Sequence, residues 1–299
     1  MKSPRQPVRK NPPKHNERKA RREPIQRVSL LTARMEHIKR ILSYTRRALD
    51  DYGMISPGDK IAVGVSGGKD SLTLLCAMAE LRRFYPIPFE LCAITIDMGF
   101  ESKMDFSGVE TLCKELDVPY HIFPTEIAKI IFDVRKEKSP CSLCAKMRRG
   151  ALHRAAKEIG CNKIALGHHF DDAVETFMLN LFFEGRIGCF SPVTYLSRMD
   201  LYMIRPLIYL PEKDVRYFTS KTALPVVTSP CPADGNTQRE EMKQLLAKLD
   251  REHTGLRYRI FGAMQRGEID GFKAVGGMQG IKAYEELPTE DTVTDIQEK

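Results

Sequence analysis

Ile61-Ala62-Val63-Gly64-Val65 runs into Ser66-Gly67-Gly68-Lys69-Asp70-Ser71, an apolar stretch that breaks on glycines and resumes as the polar start of a helix. The apolar part reads as a buried strand and the glycines as a tight turn opening the next helix. In such a turn backbone N–H groups converge, the helix N-terminus adds positive potential, and Ser66 and Ser71 add hydroxyl donors. It can therefore hold a polyphosphate through residues 66–71. Lys69 is the candidate to neutralise phosphate charge, and Asp70 the candidate magnesium ligand. The string lacks the G-x-x-x-x-G-K-S/T spacing of a Walker loop.

Outward from this turn, short apolar runs alternate with helical patterns. Strands are expected over 61–65, 90–96, 119–123 and 163–167, and helices over about 70–83, 107–117, 145–159 and 171–184. That alternation predicts an α/β fold with a parallel sheet, helices on both faces, and functional loops at the carboxyl ends of the strands. Residues 30–52 space Leu30, Leu31, Met35, Ile38, Ile41, Leu42 and Leu49 at helical intervals between Arg and Lys, an amphipathic helix with a basic outer face. Past residue 186 the pattern loosens into helices near 211–222, 236–251 and 256–266 and a short strand at 225–227. The expected division is a disordered basic arm (1–28), an N-terminal helix (29–54), the α/β domain (55–230), a small C-terminal helical lobe (231–275) and an acidic flexible tail (276–299).

A second chemical string, Lys163-Ile164-Ala165-Leu166-Gly167-His168-His169-Phe170-Asp171-Asp172, again runs from strand through glycine into the polar start of a helix. Gly167 permits close backbone approach to a nucleotide, and His168 and Asp172 can face one site edge. Neighbouring helical positions diverge by about 100°, so one of the two aspartates enters the site. Asp172 is the candidate for magnesium or catalysis, and Asp171 reads as a helix N-cap. Asp97, ending the second strand, reads either as a nucleoside contact or as a turn residue. Arg205, in Ile204-Arg205-Pro206-Leu207, reads as a phosphate-charge stabiliser or a structural arginine.

Eight cysteines in a chain without a secretory leader argue for metal or redox chemistry rather than a disulfide framework. Cys76, Cys92 and Cys113 sit in apolar runs and read as core, as do Cys161 and Cys189. Cys141-Ser142-Leu143-Cys144 stands ahead of a helix carrying Lys146, Arg148 and Arg149, a setting expected to lower thiol pKa. Cys231, in Ser229-Pro230-Cys231-Pro232, supplies a third thiolate. Three thiolates suit an iron–sulfur cluster with one open iron; zinc completed by His153 or an outside ligand, and a catalytic persulfide and disulfide pair, are the other readings.

The string SGGKDS resembles the phosphate loop of the N-type ATP pyrophosphatases, and Gly-His-His-x-Asp-Asp the second motif of their tRNA-modifying members. With Cys141 to Leu152, Cys231 and Asn236-x-Gln238-Arg239, the chain from about 33 to 275 resembles the tRNA 2-thiocytidine synthetase family of the PP-loop superfamily. The resemblance implies an adenine nucleotide alpha hydrolase-like sheet, ATP as co-substrate with Mg2+, a 4Fe-4S cluster on Cys141, Cys144 and Cys231, and cytidine 32 of tRNA as substrate. It implies ATP contacts from Ser66, Gly67, Gly68, Lys69, Asp70, Ser71, Asp97, Gly167 and His168, and catalysis by Lys69, Asp70, Asp172 and Arg205. The expected reaction adenylates the C2 carbonyl and replaces its oxygen by sulfur from a cysteine desulfurase or free sulfide. The rivals are a lysidine-type amine ligase, a 2-thiouridine thiolase and an iron–sulfur RNA-binding redox regulator.

The net charge of +8 sits wholly in the first 27 residues, which hold ten Lys or Arg against two Glu, while the rest of the chain balances 37 against 37. Such an arm suits a phosphate backbone and equally a solubilising tail. Lys103 to Phe106 and the loop 186–200 are further candidate RNA contacts. No apolar run approaches the ~20 residues of a membrane span, so a cytoplasmic protein is expected, and a homodimer is the commonest assembly.

Overall fold

The computed structural model describes residues 34, 36–102, 104–135, 140–228, 230–231 and 238–272. The basic arm, the first turn of the N-terminal helix, Lys103, Asn236 and the acidic tail lie outside the described residues. In chain order the elements are α1 (Lys39–Asp51), β1 (Lys60–Gly64), α2 (Lys69–Arg82), β2 (Glu90–Asp97), α3 (Ser107–Glu115) and β3 (Tyr120–Pro124). There follow a short α4 (Ile127–Lys129) running on as a π-helical turn (Ile130–Arg135), α5 (Pro140–Glu158), β4 (Lys163–Ala165), α6 (Phe170–Phe183), β5 (Val193–Leu196) and β6 (Leu201–Ile204). Helices α7 (Glu212–Thr222), α8 (Gln238–Glu252) and α9 (Leu256–Arg266) follow, with a 3-10 turn (Ile269–Gly271) last among the described residues.

The sheet order is β3-β2-β1-β4-β6-β5. All neighbours are parallel except the β5–β6 hairpin. From β1 the chain moves outward through β2 to β3, then returns to place β4 on β1's other side, so the order reverses between β1 and β4. A crevice opens beyond the carboxyl ends of strands at such a reversal, and the loops starting at Ser66 and Gly167 both empty into it.

Side chains of the central strands alternate between two apolar clusters, as the pleat requires. Ile61, Val63, Leu91, Ala93 and Ile204 face a large cluster built with α1, α2, α6, α7, α8 and α9. Ala62, Cys92, Ile94, Ile164 and Met203 face a smaller one closed mainly by Ala155 and Ala156 of α5. Helices thus cover both faces, but unequally. Helix α2 is buried from Ser71 to Ala79 without interruption, which is how a helix with no polar side behaves when covered all round.

Three local expectations change. Pro140 is the first residue of α5, a position its fixed φ and missing N–H suit, so Cys141 and Cys144 lie in the helix's first turn rather than ahead of it. Residues 225–227 form no strand; Pro225 lacks a ladder donor, and Val227 N–H instead donates to the Gly67 carbonyl at 2.9 Å. The hairpin β5–β6 completes the sheet edge, as expected of the region past residue 186, although the loosened pattern there did not mark its two strands. The five reduced core cysteines Cys76, Cys92, Cys113, Cys161 and Cys189 are buried, as expected.

At the opposite end of the sheet from the crevice, Lys163 Nζ lies 2.8 Å from Asp59 Oδ2 with both side chains almost fully buried. The lysine also donates to Met54 O, while Asn162 Nδ2 and Ser56 N–H donate to the aspartate. Removing one member strands the other's charge in the interior, which costs about 3–5 kcal/mol, whereas an apolar pair of similar volume does not. Asp59→Ala is expected to lose about that much stability in urea denaturation, and Asp59→Leu with Lys163→Met to recover most of it.

Candidate active site

The phosphate loop is pre-shaped by its own hydroxyls. Ser71 Oγ donates to Gly68 O at 2.9 Å and accepts from Ser66 N–H at 3.2 Å, while Ser66 Oγ accepts from Gly68 N–H at 3.4 Å. Gly67 sits at φ +83°, and a Cβ there would meet Val227 Cβ at 2.8 Å. Below the loop, Thr95 Oγ1 donates to Val65 O at 2.7 Å. Gly68, the N-cap of α2, offers no side-chain acceptor, so the first-turn N–H groups are left for a ligand anion.

Lys69 Nζ is bonded to both oxygens of Asp70 at 3.0 Å and stands 3.2 Å from Glu212 Oε1. Burial pulls the Lys69 pKa down, but the charges and hydrogen bonds of Asp70 and Glu212 outweigh it and the net shift is upward. Glu212 opens α7 and is gripped by Lys243 and Arg216 at 2.9 Å each. Against the effect of burial, these cations hold its carboxyl at about 2.

The second loop closes on the first. A Cβ on Gly167 would lie 3.0 Å from Asp70 C and 3.1 Å from Ser71 N, so any other residue would need these backbones to move apart by a few tenths of an ångström. His169 and Asp172 cap α6 reciprocally: His169 N–H donates to Asp172 Oδ2 at 2.9 Å and Asp172 N–H to His169 Nδ1 at 3.4 Å. The other imidazole nitrogen stands 3.7 Å from Asp70 Oδ1 and 3.5 Å from Asp172 Oδ2. One histidine therefore links the two expected magnesium ligands. Burial would raise the Asp172 pKa, but His169, His168 and Arg239 reverse that and lower it. Asp171 does not cap its own helix; it accepts the first N–H of α7, from Glu212, at 2.7 Å and pairs with Arg257 at 2.8 Å.

A cavity of about 520 Å³ opens between these loops and α5, lined among others by Ser66, Gly68, His168, Arg205, Cys144 and Cys231. Arg205 is buried, donates to Ser191 O and to Thr194 Oγ1 at 3.3 Å, and lies over the Phe190 ring at 4.8 Å, its Nε unpartnered. Burial draws its pKa down to about 10, so it stays cationic at neutral pH. His168 packs on the same ring at 5.0 Å with Nδ1 unpartnered. Asp97 is not among the lining side chains; its Oδ1 accepts the Gly99 N–H at 3.1 Å, the turn reading.

Cys144 and Cys231 line the cavity, and Cys141 is exposed one helical turn from Cys144. The expected lowering of thiol pKa does not hold at Cys144, where burial raises it; Arg148 opposes that, and Cys231 and Cys141 add to it. Among the described residues, no group of three or more His, Cys, Asp or Glu stands close enough to hold a metal ion. The donors nonetheless fit the implied groups. Soft thiolates at one cavity mouth suit iron and sulfur, and Asp70 with Asp172 suits magnesium that takes its remaining ligands from phosphates and water.

Sequence reading missed Glu212, and it set Arg148 and Arg149 only beside the cysteines, whereas both also line the cavity. An acidic residue after Pro211 signals a helix start, but nothing in the chain's order tells that its partner is Lys69, 143 positions earlier.

A family model described as a PP-loop domain matches residues 36–249. The chain is 40% identical over 229 residues to the tRNA-cytidine(32) 2-sulfurtransferase of Geobacter sulfurreducens, covering 76% of this chain and 89% of the relative. It is 39% identical over 232 residues to the Pseudomonas putida protein of the same name, covering 76% and 83%. Among solved structures it is similar to the U34-tRNA thiolase NcsA from Methanococcus maripaludis with its 4Fe-4S cluster, at 26% identity and a TM-score of 0.61, covering 83% of this chain and 88% of that one.

Gly167→Ala is expected to push the second loop off α2 and weaken ATP binding about tenfold, roughly 1.4 kcal/mol, with the melting transition retained; calorimetric titration with ATP checks it. Burial, with Arg205 adding to it, drives His168 to about 3, and burial with Arg149 drives His153 to about 4. Unfolded imidazoles protonate near 6.5, so below that pH the unfolded chain takes up protons the folded chain refuses. Stability is expected to fall between pH 7 and pH 5, by up to about 1.4 kcal/mol per group per pH unit, and His153→Gln to flatten the fall in urea midpoints.

Proposed function

We propose that this chain, which belongs to the PP-loop family and within it to the tRNA-cytidine(32) 2-sulfurtransferases, uses ATP to replace the C2 oxygen of a tRNA cytidine by sulfur. The observation that carries the reading is one cavity lined both by the phosphate loop, Ser66 and Gly68, and by the thiols Cys144 and Cys231. Those are the two halves of a thiolation: activation of an oxygen and delivery of sulfur.

A base carbonyl oxygen is a poor leaving group until it is esterified. In the proposed first step the C2 oxygen attacks the α-phosphorus of ATP, the bond to the bridging oxygen breaks, and pyrophosphate leaves with that electron pair. The N–H groups at the start of α2, the serine hydroxyls and Lys69 hold the polyphosphate and spread its charge, and Asp70 and Asp172 would hold magnesium, which would neutralise further phosphate charge when bound. Catalysis of such a step rests on positioning and charge stabilisation. Arg205, cationic and rigidly held beside the same space, stabilises the charge on the transferred phosphoryl group. In the second step a hydrosulfide adds to C2, the C2–O bond breaks so that AMP departs with the former base oxygen and the bonding pair, and the sulfur's proton is lost to solvent to leave the C2 thiocarbonyl. Cys141, Cys144 and Cys231 would hold a 4Fe-4S cluster whose iron without a protein ligand supplies sulfide.

Neutral His168 suits this site, because it can hydrogen-bond an oxygen without adding charge. Sulfur from a cysteine desulfurase or free sulfide, and a homodimeric assembly, belong to the same proposal. No helix among the described residues is long and apolar enough to cross a membrane, and the proposal places the enzyme in the cytoplasm with its tRNA.

The test is mass spectrometry of tRNA nucleosides from a strain lacking the gene, complemented with wild type or with Cys231→Ala. The expected result is loss of 2-thiocytidine, restored by wild type alone, while purified Cys231→Ala still releases pyrophosphate with tRNA. Unchanged 2-thiocytidine, with 2-thiouridine or a lysine-modified cytidine lost instead, would overturn the assignment of base or nucleophile.

A further inference from the structure

Helix α5 has two lined faces. Ala145, Arg148, Arg149, Leu152 and His153 face the active-site cavity, whereas Lys146, Met147, Gly150, Ala151 and Arg154 face a separate groove of about 420 Å³ against α4 and the π-helical turn. At about 100° per residue the two sets lie on opposite sides of the helix, so α5 is a wall with the reacting site on one side and the groove on the other.

The groove's floor is apolar, from Ile127, Ile130, Met147 and Ala151, and its rim carries Lys146 and Arg154, both exposed. The carboxylate on that rim, Glu126, lies 3.7 Å from Lys129. Gly150 lies in the middle of the groove's helix face, and a Cβ there would meet nothing within 4 Å. Packing therefore does not demand glycine here; the space over Gly150 is room the groove keeps open. An apolar floor suits the face of a base, and a paired cationic rim suits the phosphate attached to it. Helix α5 as a whole carries Lys146, Arg148, Arg149, Arg154 and Lys157 against Glu158 alone, so its charge complements a polyanion passing over both faces.

We propose that this groove binds a nucleotide flanking the target cytidine, its base stacked on Ile127, Ile130 and Met147 and its phosphate between Lys146 and Arg154. This rests on the tRNA reading of the active site and adds a second anchor to it. Straddling α5, the RNA strand is held on one side of the helix while the target base is presented on the other. Gly150 is the specificity-determining position, since any side chain there narrows the slot for the base.

The test uses the full-length protein and an unmodified tRNA transcript, with binding to tRNA and to ATP measured separately for wild type, Gly150→Leu and Arg154→Glu. Leucine favours helix and has space at 150, and unchanged ATP binding reports an intact fold. Both variants are expected to weaken tRNA binding about tenfold and to raise the tRNA KM more than they lower kcat, and Arg154→Glu to reduce the salt slope by about one. tRNA affinities within about twofold of wild type in both variants would overturn the groove's role. So would intact tRNA binding with thiolation lost only when a cysteine desulfurase supplies the sulfur, an outcome that makes the groove a protein-docking site. A wild-type protein that binds no tRNA overturns instead the reading of the active site itself, which keeps the two failures apart.

Discussion

Gly167 has no room for a side chain, because the backbone of Asp70 and Ser71 passes about 3 Å from where its Cβ would stand. That approach joins the loop after β4 to the helix start after β1 at the point where the strand order reverses. A parallel sheet leaves a crevice there, and the missing Cβ lets the two rims of the crevice touch. With the backbones in contact, His169 can stand between Asp70 and Asp172 while it also caps α6. The phosphate loop and the acidic cluster become one surface, and the cavity reaching the cysteines opens beside it.

The carboxylates on this surface are paired with cations from distant segments. Arg239 of α8 reaches Asp172 at 3.3 Å, Lys243 reaches Glu212, and Arg257 of α9 bridges Asp171 and Glu175. Helices α8 and α9, packed into the large apolar cluster, thereby also bring cations to the rim of the nucleotide site. Lys69 shares Glu212 with Lys243, so a polyphosphate arriving at Lys69 competes for a lysine that a carboxylate already holds.

On the sulfur side, Pro140 sets the start of α5 so that Cys141 and Cys144, three residues apart, share one face of its first turn. Cys231 reaches the same cavity on a segment whose neighbour Val227 is bonded to the phosphate loop. The contact that seats the third cysteine is therefore the one that also demands Gly67 at positive φ. Val227, in the 225–227 stretch that sequence periodicity reads as a strand, and Cys231 thus line the same cavity as the phosphate loop.

The sequence by itself determined the alternation of strands and helices, the phosphate turn at Ser66 to Ser71, the acidic string after β4 and the separation of Cys141, Cys144 and Cys231 from the five buried cysteines. Each of these is local: apolar period, glycine position and residue type are read within a window of a few residues. It left Asp97 and Arg205 ambiguous; in the structure an Asp97 oxygen accepts from the Gly99 turn, and Arg205 lines the cavity with its donors anchored on Ser191 and Thr194. It gave Asp171 a cap on its own helix, whereas that carboxylate caps α7, 41 positions on. It expected a lowered thiol pKa from nearby cations, and burial reversed the sign at Cys144. Only the tertiary structure decided these points, because burial, ion-pair partners and the two sides of α5 depend on which segments the sheet order brings together. A charge's energy is set by the groups and solvent around it rather than by its neighbours along the chain.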